Sequence, residues 1–147
     1  MNDFNKLISN VNEGDYSTFY LLSGTESYFI DKFEFFITDK LINDQNREFD
    51  YSVFYGKDVE ISQIIESAKR FPMISSYNLV IVREAQNIKH SHDVLANYVL
   101  NPQKNTILIF CYKHKSFDKR SKLYKAANKN GVVYKSRELY DSEIKKW

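Results

Sequence analysis

Apolar residues recur along the chain at two spacings, one helical and one strand-like, and the two alternate from end to end. Phe4, Leu7, Ile8 and Val11 stand three and four residues apart, which predicts a short helix over 4–11 and then a loop at Asn12-Glu13-Gly14-Asp15. The run STFYLLS at 17–23 predicts a buried strand. Helical spacing returns over 26–42, where Ile30, Phe33, Ile37 and Leu41 form one stripe and Asp31, Glu34 and Lys40 lie on the polar face. A second strand is expected at 49–56. The segment 59–71 repeats helical spacing through Ile61, Ile64, Ile65 and Ala68, and Pro72, which has no N–H to donate, stops that helix or stands in its last turn. The run NLVIV at 78–82 is too short for a globular helix and rich in β-branched residues, so it predicts a central strand, and 105–112, NTILIFCY, predicts another. Between them lies a helix at about 93–100, closed by Asn101-Pro102. A basic helix over 119–131, ended by Asn130-Gly131, and a strand at 132–135 complete the order.

Strands that alternate with helices pair in parallel and carry helices on both faces, so the expected fold is α/β, a parallel-stranded sheet flanked on both sides. The length suits one globular domain. No internal repeat, low-complexity tract or linker interrupts it. Residues 139–147, LYDSEIKKW, begin a further helix with nothing left to pack on, so the chain reads as the first domain of something longer.

Composition narrows the class. Of the 147 residues 43% are hydrophobic and 16% aromatic, enough for a core, and only 4 Gly and 2 Pro break the regular elements. A lone cysteine, Cys111, excludes an internal disulfide and sits in an apolar run, where it reads as a small core residue. No signal-type run follows Met1 and no apolar stretch reaches bilayer length, so a cytoplasmic domain away from membranes is expected. The net charge of +2 conceals a polarity: residues 1–50 carry four basic and ten acidic side chains, whereas 113–137 carry nine basic and one acidic. Such a basic segment steers an anionic partner or forms the solvated face of a helix.

Strand, glycine turn and helix follow one another at 20–30, YLLSGTESYFI, the arrangement on which nucleotide-binding domains seat a phosphate at a helix N-terminus. The chemistry does not follow. A P-loop needs several glycines, a Lys for the β- and γ-phosphates and a Ser or Thr directly after it for Mg²⁺, and around Gly24-Thr25-Glu26 the stretch SGTESYFI offers one glycine, no Lys and so no Ser or Thr in that place. Where such ATPases end a strand in acidic residues, LVIVREAQ has Arg83 in place of the first and keeps only Glu84. Glu26, an acid in the first helical turn, complements the helix dipole. His90-Ser91-His92 lacks a third ligand at metal-binding spacing and reads as a polar surface loop. No catalytic residue, metal or cofactor is assigned.

Four segments in this order and spacing, FYLLSGTESYFIDK, ESAKRFPMISSYNLVIVREAQ, NPQKNTILIF and FDKRSKLYKAANKNGVVYKSRELYDSEIKKW, resemble the N-terminal domain of the delta subunit of bacterial DNA polymerase III, a clamp-loader subunit. The resemblance runs from about Thr18 to Trp147. It implies an AAA+-like domain over 1–140 that has lost ATP binding, in keeping with Gly24 and Arg83, and the start of a following helical domain at 141–147. It also implies that the domain binds the beta sliding clamp and opens one of its interfaces, in DNA replication, without hydrolysing ATP itself. Its partners would be the clamp and the other clamp-loader subunits, with DNA met through the assembled complex. The clamp contact lies in this family at the end of the helix before the central strand. Here that place is FPMISS, which makes Phe71, Met73 and Ile74 the contact residues and Pro72 the residue that shapes the turn; all four could instead cap the core, Phe71 above all.

Two other functions stand beside this one. An aberrant phosphate loop would make the domain a nucleotide-dependent enzyme. A direct nucleic-acid binder would use Lys113, Lys115, Lys119, Arg120, Lys122 and Lys125 on phosphates, with Tyr112, Phe117 and Tyr124 interleaved.

Overall fold

The computed structural model describes residues 2–89, 92–113 and 118–136. Helix α1 (Asn2–Asn12) is followed by β1 (Phe19–Gly24), α2 (Ser27–Leu41), β2 (Tyr51–Tyr55), α3 (Ile61–Ala68), β3 (Asn78–Arg83), α4 (Asp93–Leu100), β4 (Thr106–Lys113), α5 (Lys122–Asn130) and β5 (Val132–Ser136). Single 3-10 turns occupy Gly56–Asp58 and Ala85–Asn87. The five strands form one sheet in the order β2-β3-β4-β1-β5, and every pairing is parallel.

The three inner strands are buried on both faces, which is why each reads as an unbroken apolar run rather than an alternation. Successive side chains still go to opposite layers. Phe19 and Leu21, Val80 and Val82, Leu108 and Phe110 meet α3, α4 and α5 through Ile64, Ala68, Leu95, Val99 and Leu123. Tyr20 and Leu22, Leu79 and Ile81, Ile107 and Ile109 meet α1 and α2 through Phe4, Val11, Phe29, Phe33 and Ile37. Each such side chain contributes about 1.5–3 kcal/mol on full burial, so the sheet and its two layers dominate stability.

Local chemistry trims the elements relative to the hydrophobic pattern. Ser121 caps α5, its hydroxyl accepting from the Tyr124 N–H at 3.1 Å, so that helix starts at Lys122 and not at 119. Helix α3 stops at Ala68, three residues short of the expected Phe71. The physical reason is tertiary. The Thr106 and Tyr98 hydroxyls donate to the Ala68 carbonyl at 2.6 and 3.2 Å, and Asn78 Nδ2 donates to the carbonyls of Ser67 at 2.9 Å and Arg70 at 3.3 Å. Side chains from β3, β4 and α4 thus satisfy carbonyls that another helical turn would have used. The expected final helix at 139–147 lies outside the described residues. No helix among those described is long and apolar enough to cross a membrane.

Candidate functional site

In a parallel sheet all β-to-α turns gather at one end, and the sequence-predicted residues divide between the two ends accordingly. Gly24, Thr25 and Glu26 follow β1 at the C-terminal end of the strands, whereas Phe71–Ile74 precede β3 at the opposite end.

Gly24 has φ +126°, a backbone conformation that favours glycine, and a Cβ there would lie 2.3 Å from the Ser136 carbonyl oxygen and 2.4 Å from its hydroxyl. Close packing of β1 against β5 therefore accounts for this glycine without any phosphate. The N-terminus of α2 is already supplied with an anion: Glu26 is the N-cap residue, and its Oε1 accepts from the Tyr28 N–H at 2.9 Å.

Between α2 and the edge strand β2, reaching the C-terminal ends of β3 and β4, lies a cleft of about 540 Å³, lined among others by Asp31, Glu34, Phe35, Tyr55, Arg83 and Lys113. Its charges answer one another. Arg83 Nη2 lies 2.5 Å from Glu34 Oε2, Arg83 Nε donates to the same carboxylate at 2.9 Å, and Arg83 Nη1 donates to the Tyr55 hydroxyl at 2.9 Å. The hydrogen bond it donates to Glu34 is the largest influence on the guanidinium and raises its pKa further, so Arg83 is a fixed cation. Lys113, beside Gly24 in the β1–β4 register, pairs with Asp31. Glu84, the remaining acid of LVIVREAQ, has φ 52° and leads straight into a 3-10 turn. Cys111 is fully buried, and burial, reinforced by Glu34, pushes its thiol up out of the reactive range.

The segment at the other end differs in kind. Phe71, Met73 and Ile74 are 71%, 68% and 55% exposed, so none of them caps the core, Phe71 included. They are held in place by a residue that sequence periodicity does not single out. Asp50, fully buried just before β2, accepts from the backbone N–H groups of Met73 at 2.6 Å, Ile74 at 2.9 Å and Ser75 at 2.6 Å, and from the Ser75 hydroxyl at 2.9 Å. Burial by itself would raise this carboxyl, but the N–H groups of Met73, Ser75 and Ile74 and the Ser75 hydroxyl outweigh it and hold it below the ordinary carboxylate range. Arg70 Nη2 donates to the Phe49 carbonyl at 3.3 Å, and Asn105 Nδ2 to that of Ser76 at 3.4 Å. An apolar knob thus stands in solvent on a backbone fixed from both sides, which lowers the ordering cost of any partner contact. The signal that marks Asp50 in the sequence is an acid at the start of a strand segment, 49–56, rich in aromatic residues.

The basic residues stay at the surface. Lys119 and Arg120 are exposed in the turn before α5, Lys122 is exposed in its first turn, and Arg120 pairs with Asp118 at 3.4 Å. Lys115 and Phe117 lie outside the described residues, as do His90 and Ser91. His92 is half-buried with its ring edge-on to Phe110, at 5.6 Å between centroids, and burial lowers its pKa. Among the described residues no group of three His, Cys, Asp or Glu could hold a metal ion.

A family model described as DNA polymerase III, delta subunit, matches residues 20–136. The DNA polymerase III subunit delta of Bacillus subtilis is 26% identical over 140 residues, covering 89% of this chain and 40% of that protein. Among solved structures, the Bacillus subtilis DNA clamp loader delta protein aligns with a TM-score of 0.86 at 24% identity, over 97% of this chain and 45% of that one. A DNA polymerase III gamma subunit-related protein from Thermotoga maritima has the same fold at a TM-score of 0.57 and 12% identity, over 97% of this chain and 48% of its own. The chain therefore spans less than half the length of these relatives.

Proposed function

The chain belongs to the DNA polymerase III delta subunit family, and from that premise we propose that it is the domain by which a clamp-loader subunit binds the beta sliding clamp and opens it during DNA replication in the cytoplasm. Phe71, Met73 and Ile74 enter an apolar pocket of the clamp and Pro72 shapes the turn that presents them. The domain hydrolyses no ATP; other clamp-loader subunits supply that step, and DNA is met through the assembled complex. In this reading residues 1–140 are the clamp-binding unit and 141–147 start the next domain. The observation that carries the proposal is the exposed apolar knob on its pinned backbone, since large apolar side chains clustered in solvent serve no purpose without a partner. Titrating the 147-residue chain into purified beta clamp tests it: saturable binding is expected, and its absence overturns the reading.

The enzyme alternative is answered by ATP–Mg²⁺ titrated into the chain. Gly24 packs on Ser136, Glu26 caps α2 and Lys113 is paired with Asp31, so no saturable signal is expected up to about millimolar nucleotide, roughly −4 kcal/mol. A micromolar isotherm would restore a nucleotide-dependent function.

One observation favours a nucleic-acid module as the second reading, namely the exposure of Lys119, Arg120 and Lys122 together. Replacing all three with Glu is expected to leave both the melt and clamp binding nearly unchanged. Binding of primed DNA by the chain, steeply salt-dependent and abolished in this triple variant, would advance the second reading instead.

A further inference from the structure

On the face of the sheet that carries α3, a groove of about 260 Å³ runs between α4 and α5. Ala96 and Leu100 of α4 and Ala126 of α5 form its floor, and Lys122, Lys125 and Lys129 stand along the α5 side. We propose that this groove docks an acidic amphipathic helix of a partner protein. The three lysines are at i, i+3 and i+7, so they line one edge over about 10 Å, two turns of a helix laid alongside. Among the described residues none of the three has an ion-pair partner. Leu100 is 45% exposed, and the groove has room for apolar guests, since an apolar cavity of about 150 Å³ already takes one the size of benzene.

The groove is also preformed. Asn130 Nδ2, at the end of α5, donates to the Leu100 carbonyl at 3.0 Å and to that of Val99 at 3.3 Å, tying the two helix ends together. Val99 and Ala127 are fully buried beneath them. A phosphate backbone would meet the lysines and leave Leu100 and the alanine floor unused. An uncharged apolar helix would fill the floor and desolvate three cations without return. A helix with leucines on one stripe and glutamates beside it satisfies both features, and short-range steering by the lysines speeds its approach.

The test is a fluorescence-anisotropy titration of the 147-residue chain into a labelled model peptide of about 16 residues, long enough to be helical, with Leu at i and i+4 and Glu flanking them. Micromolar affinity is expected. Leu100→Asp and Lys125→Glu should each weaken it about tenfold or more, as should exchanging the peptide's Glu for Gln or its Leu for Ser. Both side chains are exposed, so thermal melts of the variants should match the parent; Lys129→Glu reads the same edge should either variant melt early. The variant carrying Met73→Ala and Ile74→Ala should bind the peptide normally, which separates this surface from the clamp-binding knob. The proposal is overturned by lack of saturable binding, by affinity that survives both groove substitutions, or by a short DNA duplex that displaces the peptide and depends on Lys125 but not on Leu100.

Discussion

Replacing Met73 and Ile74 together with alanine is expected to weaken binding to the beta clamp by about thirtyfold while leaving the thermal melt nearly where it was. Interfaces concentrate their energy in a few apolar anchors, and losing two of them costs about 2 kcal/mol or more, which is the stated factor in dissociation constant. The fold should not notice. At 68% and 55% exposure neither side chain fills core volume, so truncation leaves no cavity of the kind that costs about 2–5 kcal/mol per buried large residue. A clamp titration run beside a melt on the same variant decides the matter. Intact binding rejects these residues as anchors, and a collapsed melt would mean that they support the fold.

Asp50→Asn is expected to show the opposite signature, a fall of about 2–4 kcal/mol in folding stability with clamp affinity lost as a consequence. The carboxylate accepts from three backbone N–H groups and a hydroxyl in a fully buried position. The amide offers one oxygen and turns an NH₂ group toward donors, so about two charge-assisted hydrogen bonds disappear. Acid should reveal the same group. Its folded-state pKa is depressed, so its stabilising contribution is present above the unfolded value of about 4 and fades as the pH falls through the folded one. The gap in midpoint between parent and variant, measured by denaturant titration, should therefore narrow below about pH 4. A constant gap across that range would show that shape, not charge, holds the 73–75 backbone.

The strands of this domain are legible because inner parallel strands must be apolar on both faces, so NLVIV and TILIFC announce themselves without any partner in view. The segment Phe71–Ile74 stood out through the family resemblance, with a core-capping role open beside it, and its exposure is what the structure adds. What periodicity cannot carry is a bond between residues far apart in the chain. Asp50 serves a segment 23 to 25 positions later, Thr106 takes up the Ala68 carbonyl from 38 positions away, and Arg83 reaches Glu34 across 49. Each of these is a polar residue at the edge of a largely apolar strand segment, and local spacing assigns such a residue no partner. The end of α3 was misjudged for this reason, its helical pattern continuing for three residues after tertiary bonds had claimed its carbonyls.

The strand order sets a timetable for synthesis. Strand β1 lies between β4 and β5, with Phe19 opposite Leu108 and Tyr20 opposite Val132. Its apolar residues leave the ribosome about 90 residues before the first strand able to pair with them, a delay of roughly 5–20 s at bacterial elongation rates of about 5–20 residues per second. During that interval α1 and α2, its neighbours in the chain, shield Tyr20 and Leu22 early, whereas Phe19 and Leu21 wait for α3 and then α4, and α5 follows only after β4. The nascent chain is thus expected to present an apolar strand with both edges unpaired to chaperones until β4 slides into the middle of the sheet, and the strand made first is among the last to be completed.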